Sequence, residues 1–200
     1  MTGTWTLTEN IETITGSNGD DTFNAYSKFS QVGQVPTLQS GDNVNGEDGV
    51  DTLVADLFGG TVIPTLNSVE NLNLSDYAAA GSTLNLSSAK GVESVDYRLI
   101  VASSTLDAVG SAIDLSATNI TGDRDITLSY LADATTGDND QQINVTGADL
   151  NDLFINSSGA VETVTINVGP GESSIDGLSG TALRYRFRRW HDQGCNYWRR

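Results

Sequence analysis

Two nine-residue segments carry the residues best suited to chemistry: Gly16-Ser-Asn-Gly-Asp-Asp-Thr-Phe-Asn24 and Gly46-Glu-Asp-Gly-Val-Asp-Thr-Leu-Val54. Both fit Gly-x-x-Gly-x-Asp-x-(large apolar)-x, and the chemistry that this spacing suggests is cation binding. Gly16, Gly19, Gly46 and Gly49 permit backbone angles that other residues resist. Peptide carbonyls can therefore turn inward toward a hard cation that prefers oxygen ligands, with calcium as the expected ion. Asp21 and Asp51 add carboxylates, and Phe23 and Leu53 are expected to point into the interior. The candidate ligands are Gly16, Asn18, Asp20, Asp21, Asp42, Gly46, Asp48 and Asp51. The same residue types are also the ordinary formers of tight turns, so a pair of Gly/Asp-rich hairpin turns is the competing reading.

Between the two segments, Asp42 and Val44 precede Asp51 and Leu53 by one nonapeptide each, so residues 37–45 and 46–54 read as tandem units. In a β-roll, successive nonapeptides make opposite half-turns and a cation lies between units n and n+2. Here those units are 16–24 and 46–54, with 25–36 as a looped-out insertion, and Asp21 and Asp51 are expected to face each other across one calcium. This pattern resembles the RTX repeat of secreted Gram-negative proteins, Gly-Gly-x-Gly-x-Asp-x-(apolar)-x. The chain departs from it at Ser17 and Glu47, and at Thr37, Leu38 and Ser40 in the middle unit.

Composition narrows the classes. The 200 residues include 26 acidic and 10 basic ones, for a net charge of −16. Arg184, Arg186, Arg188, Arg189, Arg199 and Arg200 all fall within 183–200, so the body over 1–182 sets only Lys28, Lys90, Arg98 and Arg124 against every acidic residue except Asp192. A body of that charge repels nucleic acid and attracts divalent cations. Cys195 is the single cysteine, so disulfides do not hold the fold. No run approaches the roughly 18 apolar residues of a membrane span. Thr2 to Glu9 has neither the basic start nor the apolar run of an N-terminal signal peptide.

Trp5-x-Leu7, Leu84-x-Leu86, Val95-x-Tyr97-x-Leu99, Ile126-x-Leu128, Ile143-x-Val145 and Val164-x-Ile166-x-Val168 alternate as short strands do. A second motif recurs as Ile11-Glu12-Thr13-Ile14, Val69-Glu70-Asn71-Leu72, Val92-Glu93-Ser94-Val95 and Val161-Glu162-Thr163-Val164. The interval from Val69 to Val92 fits three times over between Val92 and Val161, and its length is compatible with one coil of a parallel solenoid. Leu115 to Leu128 is the best candidate among the degenerate coils between. The shared glutamate is read as a solvated strand residue. The expected fold is all-β: a leading strand over 1–15, calcium β-roll turns over 16–54, and parallel β-roll or β-helix coils over 55–182. A β-sandwich is the alternative, and the Ala-rich stretch from Ser103 to Ala117 could hold a short helix.

The leading strand, the two Gly/Asp segments and Val-Glu-Asn-Leu-Asn-Leu together are similar to repeat regions of bacterial surface-layer and adhesin-like proteins. That resemblance implies an extracellular structural or adhesive role, export by a type I route with a C-terminal signal, and calcium, glycans or neighbouring copies as partners. No nucleophile with its base, His/Cys metal cluster or phosphate loop stands in the body, so an enzyme is not expected. A carbohydrate-active β-helix, whether lyase, epimerase or glycan-binding module, is the rival, with Lys90, Arg98 and Arg124 as its basic candidates. A surface- or ice-binding solenoid would need a flat Thr-x-Thr array, hinted at only by Thr13-x-Thr15 and Thr163-x-Thr165.

Residues 183–200 stand apart, holding His191, Cys195 and two of the three tryptophans. Read one base later, the codons for Trp190 and Trp198 become glycine, and a Ser/Thr/Gly-rich sequence like the body can follow. The expectation is a frameshifted tail outside the fold. Gly122-Asp-Arg-Asp125 and Gly137-Asp-Asn-Asp140 are weaker cation-turn candidates.

Overall fold

The protein, described from a computed structural model, is defined over residues 2–31, 33–134, 140–157, 161–169, 173–180 and 183–189. Alternation in the sequence becomes short strands, because successive side chains of an extended chain point to opposite faces and only one face is apolar. In Thr22–Ala25, Phe23 and Ala25 are buried while Thr22 and Asn24 are half-exposed.

Numbered along the chain, the longest sheet holds nine strands in sequence order, all parallel. They are β1 (Thr4–Thr6), β3 (Thr22–Ala25), β7 (Thr52–Leu57), β10 (Asn71–Asp76), β13 (Ser94–Ile100), β15 (Asp114–Thr118), β17 (Asp140–Thr146), β19 (Val161–Val168) and β21 (Leu183–Arg189). A second parallel sheet contains β2 (Thr13–Thr15), β6 (Asn43–Asn45), β9 (Thr65–Asn67) and β12 (Ala89–Lys90). The third comprises β8 (Gly60–Val62), β11 (Ser82–Asn85), β14 (Ser104–Val109), β16 (Arg124–Tyr130), β18 (Asp149–Asn156) and β20 (Ser174–Gly180). Each pass along the chain adds one rung to the long sheet and one to its neighbours, so the molecule is a β-solenoid. The described residues contain no helix, and Ser103 to Ala117 supplies β14 and most of β15 instead.

The core is a stack of equivalent side chains. Phe23, Leu53, Leu72, Val95, Leu115, Ile143 and Ile166 lie one above another on the long sheet, and all are buried. Burying one such side chain contributes roughly 1.5–3 kcal/mol, more than the roughly 0.5–1.5 kcal/mol net of one hydrogen bond. The stack therefore sets the register, since a one-residue slip would turn every apolar residue outward.

The steps between rungs follow the repeats. Phe23 stacks on Leu53 and Ile14 on Val44, and the two steps are equally long because each contains the insertion at 25–36. That insertion leaves the coil as an antiparallel hairpin of β4 (Lys28–Ser30) and β5 (Gly33–Val35). β6 and β7, from consecutive nonapeptides, lie in different sheets, which is the alternation of half-turns expected of a roll. The interval between Val69 and Val92 returns where Leu66 meets Ala89 and Leu72 meets Val95. It does not persist as a fixed period. The step from Val95 to Leu115 is shorter and that from Leu115 to Ile143 longer, and the column arrives at Ile166 rather than at Val164, which pairs with Gln141. Leu183–Arg189, set apart in the sequence as a tail, carries β21 and pairs with β19; residues 190–200 lie outside the described residues.

Candidate metal centre

Both glycine-aspartate segments fold as turns that lead into the long sheet and stack one rung apart. Gly16 donates its amide to the Asn45 carbonyl at 2.7 Å, and Gly46 donates to the Asn67 carbonyl at 2.9 Å. A β-carbon on Gly49 would lie 2.7 Å from the Gly19 carbonyl carbon, and its φ of 131° suits glycine alone. Close stacking of these turns therefore requires glycine at this position.

Asp21, Asp42 and Asp51 are all buried, at 2%, 0% and 0% exposure, which places three carboxylates where few donors other than the backbone can reach them. Asp21 and Asp51 do not meet carboxylate to carboxylate. Asp51 Oδ1 instead accepts the Asp21 amide at 2.7 Å, and Asp21 Oδ1 accepts the Gly3 amide at 2.6 Å. Glu70 Oε2 takes the Asp51 amide at 2.7 Å. The result is a ladder in which each acid caps the backbone of the rung before it, running Gly3, Asp21, Asp51, Glu70. Asp42 does the same at the opposite corner, accepting the amides of Glu12 at 2.9 Å and Gln39 at 2.7 Å.

The remaining candidates are exposed turn residues. Asn18 donates to Asp48 Oδ2 at 3.0 Å, and Asp20 Oδ1 accepts the Val50 amide at 2.9 Å, so these pairs tie one turn to the next. Among the described residues no three His, Cys, Asp or Glu side chains converge on one point. Gly122–Asp125 is a structural corner: Asp125 accepts from Ser103, Asn151 and the Asp152 amide. Residues 137–139 of the other weak candidate lie outside the described residues.

Glu70 is the site residue that its sequence context disguised. It precedes β10 in a turn and is not a solvated strand residue. Its signal was the short step from Leu53 to Leu72, which places Val69-Glu70 in the same corner as Val50-Asp51. Glu12 also sits in a turn, accepting the Thr8 amide and hydroxyl, while Glu93 is exposed.

Electrostatics separates the three aspartates. Burial pushes the Asp21 carboxyl up, but hydrogen bonds from the Ser17 amide and hydroxyl and from the Gly3 amide outweigh it and hold the group below the usual range. Burial raises Asp51; the Asp21 amide opposes this, while the charges of Glu70, Asp21 and Asp20 push it further up. Asp42 is also raised, by burial and by Glu12 against its two amide donors. Asp51 has one further peculiarity. Its Oδ2 is buried and has no hydrogen-bond partner. A lone pair in that position favours a cation or a proton, so the residues present fit a calcium ion.

The basic side chains of the body are scattered. Arg98 pairs with Asp96 at 2.9 Å. Lys90 lines a shallow cavity with Leu86, Ala89, Val92, Val109 and Ser111, where no carboxylate joins it. No helix of the described residues is long and apolar enough to cross a membrane. Comparison of the sequence with protein-family models and with curated proteins returned no match.

Proposed function

We propose that the chain is a calcium-stabilised repeat segment of an extracellular bacterial surface protein, with a structural or adhesive role and with folding coupled to calcium binding. One observation carries this reading. A ladder of acids is packed into the turns of an already acidic solenoid, and Asp51 presents a buried carboxylate oxygen that no donor satisfies. When bound, calcium supplies the positive charge that this column lacks. Asp51 and Glu70 would hold it, while Gly46 leaves the room. Without an ion, the repulsion between neighbouring rungs keeps the coils poised to open. The affinity expected of an extracellular module, about 10⁻⁴ to 10⁻³ M, matches millimolar calcium outside a cell and leaves the site empty in a calcium-poor cytoplasm.

A glycan-binding reading draws on a different corner. Tyr26 and Phe29 at the hairpin are 51% and 87% exposed, and Phe58 stacks on Tyr77 with ring centres 5.4 Å apart. Exposed aromatic rings suit sugar faces.

The test is a calcium titration of the chain followed by far-ultraviolet circular dichroism, with magnesium as control. A calcium-specific gain of β signal supports the reading. A fold complete in chelator and indifferent to calcium would defeat it.

A further inference from the structure

We propose that the cation is held one rung beyond the paired nonapeptides, in a cradle formed by the Asp51 carboxylate, the Ser68 carbonyl and the Glu70 carboxylate, and that Asp21 is not a ligand. This rests on the calcium reading above and assigns its position.

A β-carbon on Gly46 would lie 1.9 Å from the Ser68 carbonyl oxygen and 2.1 Å from Asp51 Oδ2, so those two oxygens are within 4.0 Å of each other. Both are acceptors, and Asp51 Oδ2 has no hydrogen-bond partner. Two acceptors facing each other at a buried carboxylate oxygen repel unless a cation or a proton lies between them. Ser68 has a φ of 48°, a left-handed conformation uncommon for serine. Glu70 Oε2 accepts the Asp51 amide at 2.7 Å, which brings a second carboxylate to the Asp51 backbone from the next rung.

Asp21 occupies the same position one rung earlier and is already satisfied. Its Oδ1 accepts the Gly3 amide at 2.6 Å and the Ser17 hydroxyl at 2.9 Å, and its Oδ2 accepts the Ser17 amide at 2.5 Å. Both oxygens of Asp42 are filled by amides. Of the three aspartates that share the nonapeptide template, Asp51 alone has an oxygen in need.

The cause is a single difference between the repeats. Ser17 follows Gly16 and donates twice to Asp21, whereas Glu47 follows Gly46. Glu47 has a φ of 71° and directs its amide to Asn45 Oδ1 at 3.4 Å. Its own carboxylate accepts from Asn45 Nδ2 at 2.6 Å. The donor that closes the first turn is therefore missing from the second, leaving Asp51 open to a cation. The ligand number of calcium, roughly six to eight oxygens, leaves further positions to water.

The experiment is calorimetric titration of the full chain with calcium chloride, on the wild type and on Asp51→Asn, Glu70→Gln, Gly46→Ala and Asp21→Asn, with each variant's fold checked by circular dichroism in chelator and in saturating calcium. Expected is a loss of affinity of about 100-fold or more for D51N and G46A, about 10-fold for E70Q, and less than about 3-fold for D21N. If D51N or G46A fails to fold, the contrast between E70Q and D21N decides. Equal weakening by D21N and D51N with E70Q unaffected would move the ion between the nonapeptides and overturn this assignment alone. No binding by the wild type at millimolar calcium would overturn both the assignment and the calcium reading.

Discussion

The first rungs of the solenoid and the later ones solve the same stacking problem with different materials. Between β1 and β10 the turns are tight, and the steps from Trp5 to Phe23 and from Leu53 to Leu72 are the shortest traced along the long sheet from β1 to β19. Buried carboxylates capping backbone amides take up the corner, as at Asp21, Asp42 and Asp51. From β13 onward, the steps from Val95 to Leu115 and from Leu115 to Ile143 are both longer than these, and the inside gains Tyr97, Tyr130 and Leu150. Among the described residues the acids there are at least half-exposed, as in the Arg98–Asp96 pair. A solenoid rung closed by carboxylates depends on what neutralises them, whereas one closed by apolar side chains depends only on water exclusion. Calcium dependence should therefore be a property of the first part of the molecule.

The largest effect is expected in the later rungs. Leu106→Ala removes a fully buried side chain between β11 and β16 and should cost about 2–5 kcal/mol. That loss should be the same in calcium and in chelator, as read from chemical denaturation in both. A Gly46→Ala substitution, which forces a methyl group against Ser68 and Asp51, should cost about 1–3 kcal/mol and also remove the calcium increment.

pH sharpens the contrast between rungs. Asp42 and Asp51 have folded pKa values above the ordinary 3.8, so their contribution to stability is present at low pH and is lost as pH rises through those raised values. Asp21 lies below 3.8, so its contribution is present above that value and is lost as pH falls through its folded pKa. In chelator the melting temperature should therefore rise as pH is lowered through the raised values of Asp42 and Asp51, then fall once Asp21 takes a proton. Calcium should flatten the upper limb. A profile in chelator that climbs steadily toward neutral pH would contradict the burial of uncompensated acids. The smallest effect is expected from Asn18→Ala, which breaks the exposed bond to Asp48 and should change stability by less than about 1 kcal/mol without altering calcium affinity.

Much of the fold is legible in the sequence because apolar stacking dictates it. The nonapeptide spacing of Asp42 and Val44 from Asp51 and Leu53 places β6 and β7 on different sheets, and residues 25–36 emerge as a hairpin. Val69 and Val92 reveal the length of the coil between them, but Val161 does not extend it, because the coils after β13 differ in length. The same reasoning leaves Ser103 to Ala117 ambiguous, since alanine and valine in short runs suit either helix or strand until β11 and β16 claim them as neighbours. The site is less legible. Template matching pairs Asp21 with Asp51 as equals, but the donors that distinguish them come from Ser17 and Glu47, positions the template treats as interchangeable. Glu70 and the Ser68 carbonyl join the same corner only through the register of β10 on β7, and a backbone carbonyl leaves no mark in residue type.

The central claim, that a cation closes the early rungs while the later ones stand without it, is tested most directly by amide hydrogen exchange with and without calcium. Binding at the Asp51 cradle predicts added protection across β6, β7, β9 and β10, with the amides of Asp21, Asp51 and Asn71 among the most slowed. β14 and β16 should change far less. Equal protection gained along the whole solenoid, or none anywhere at millimolar calcium, would contradict it.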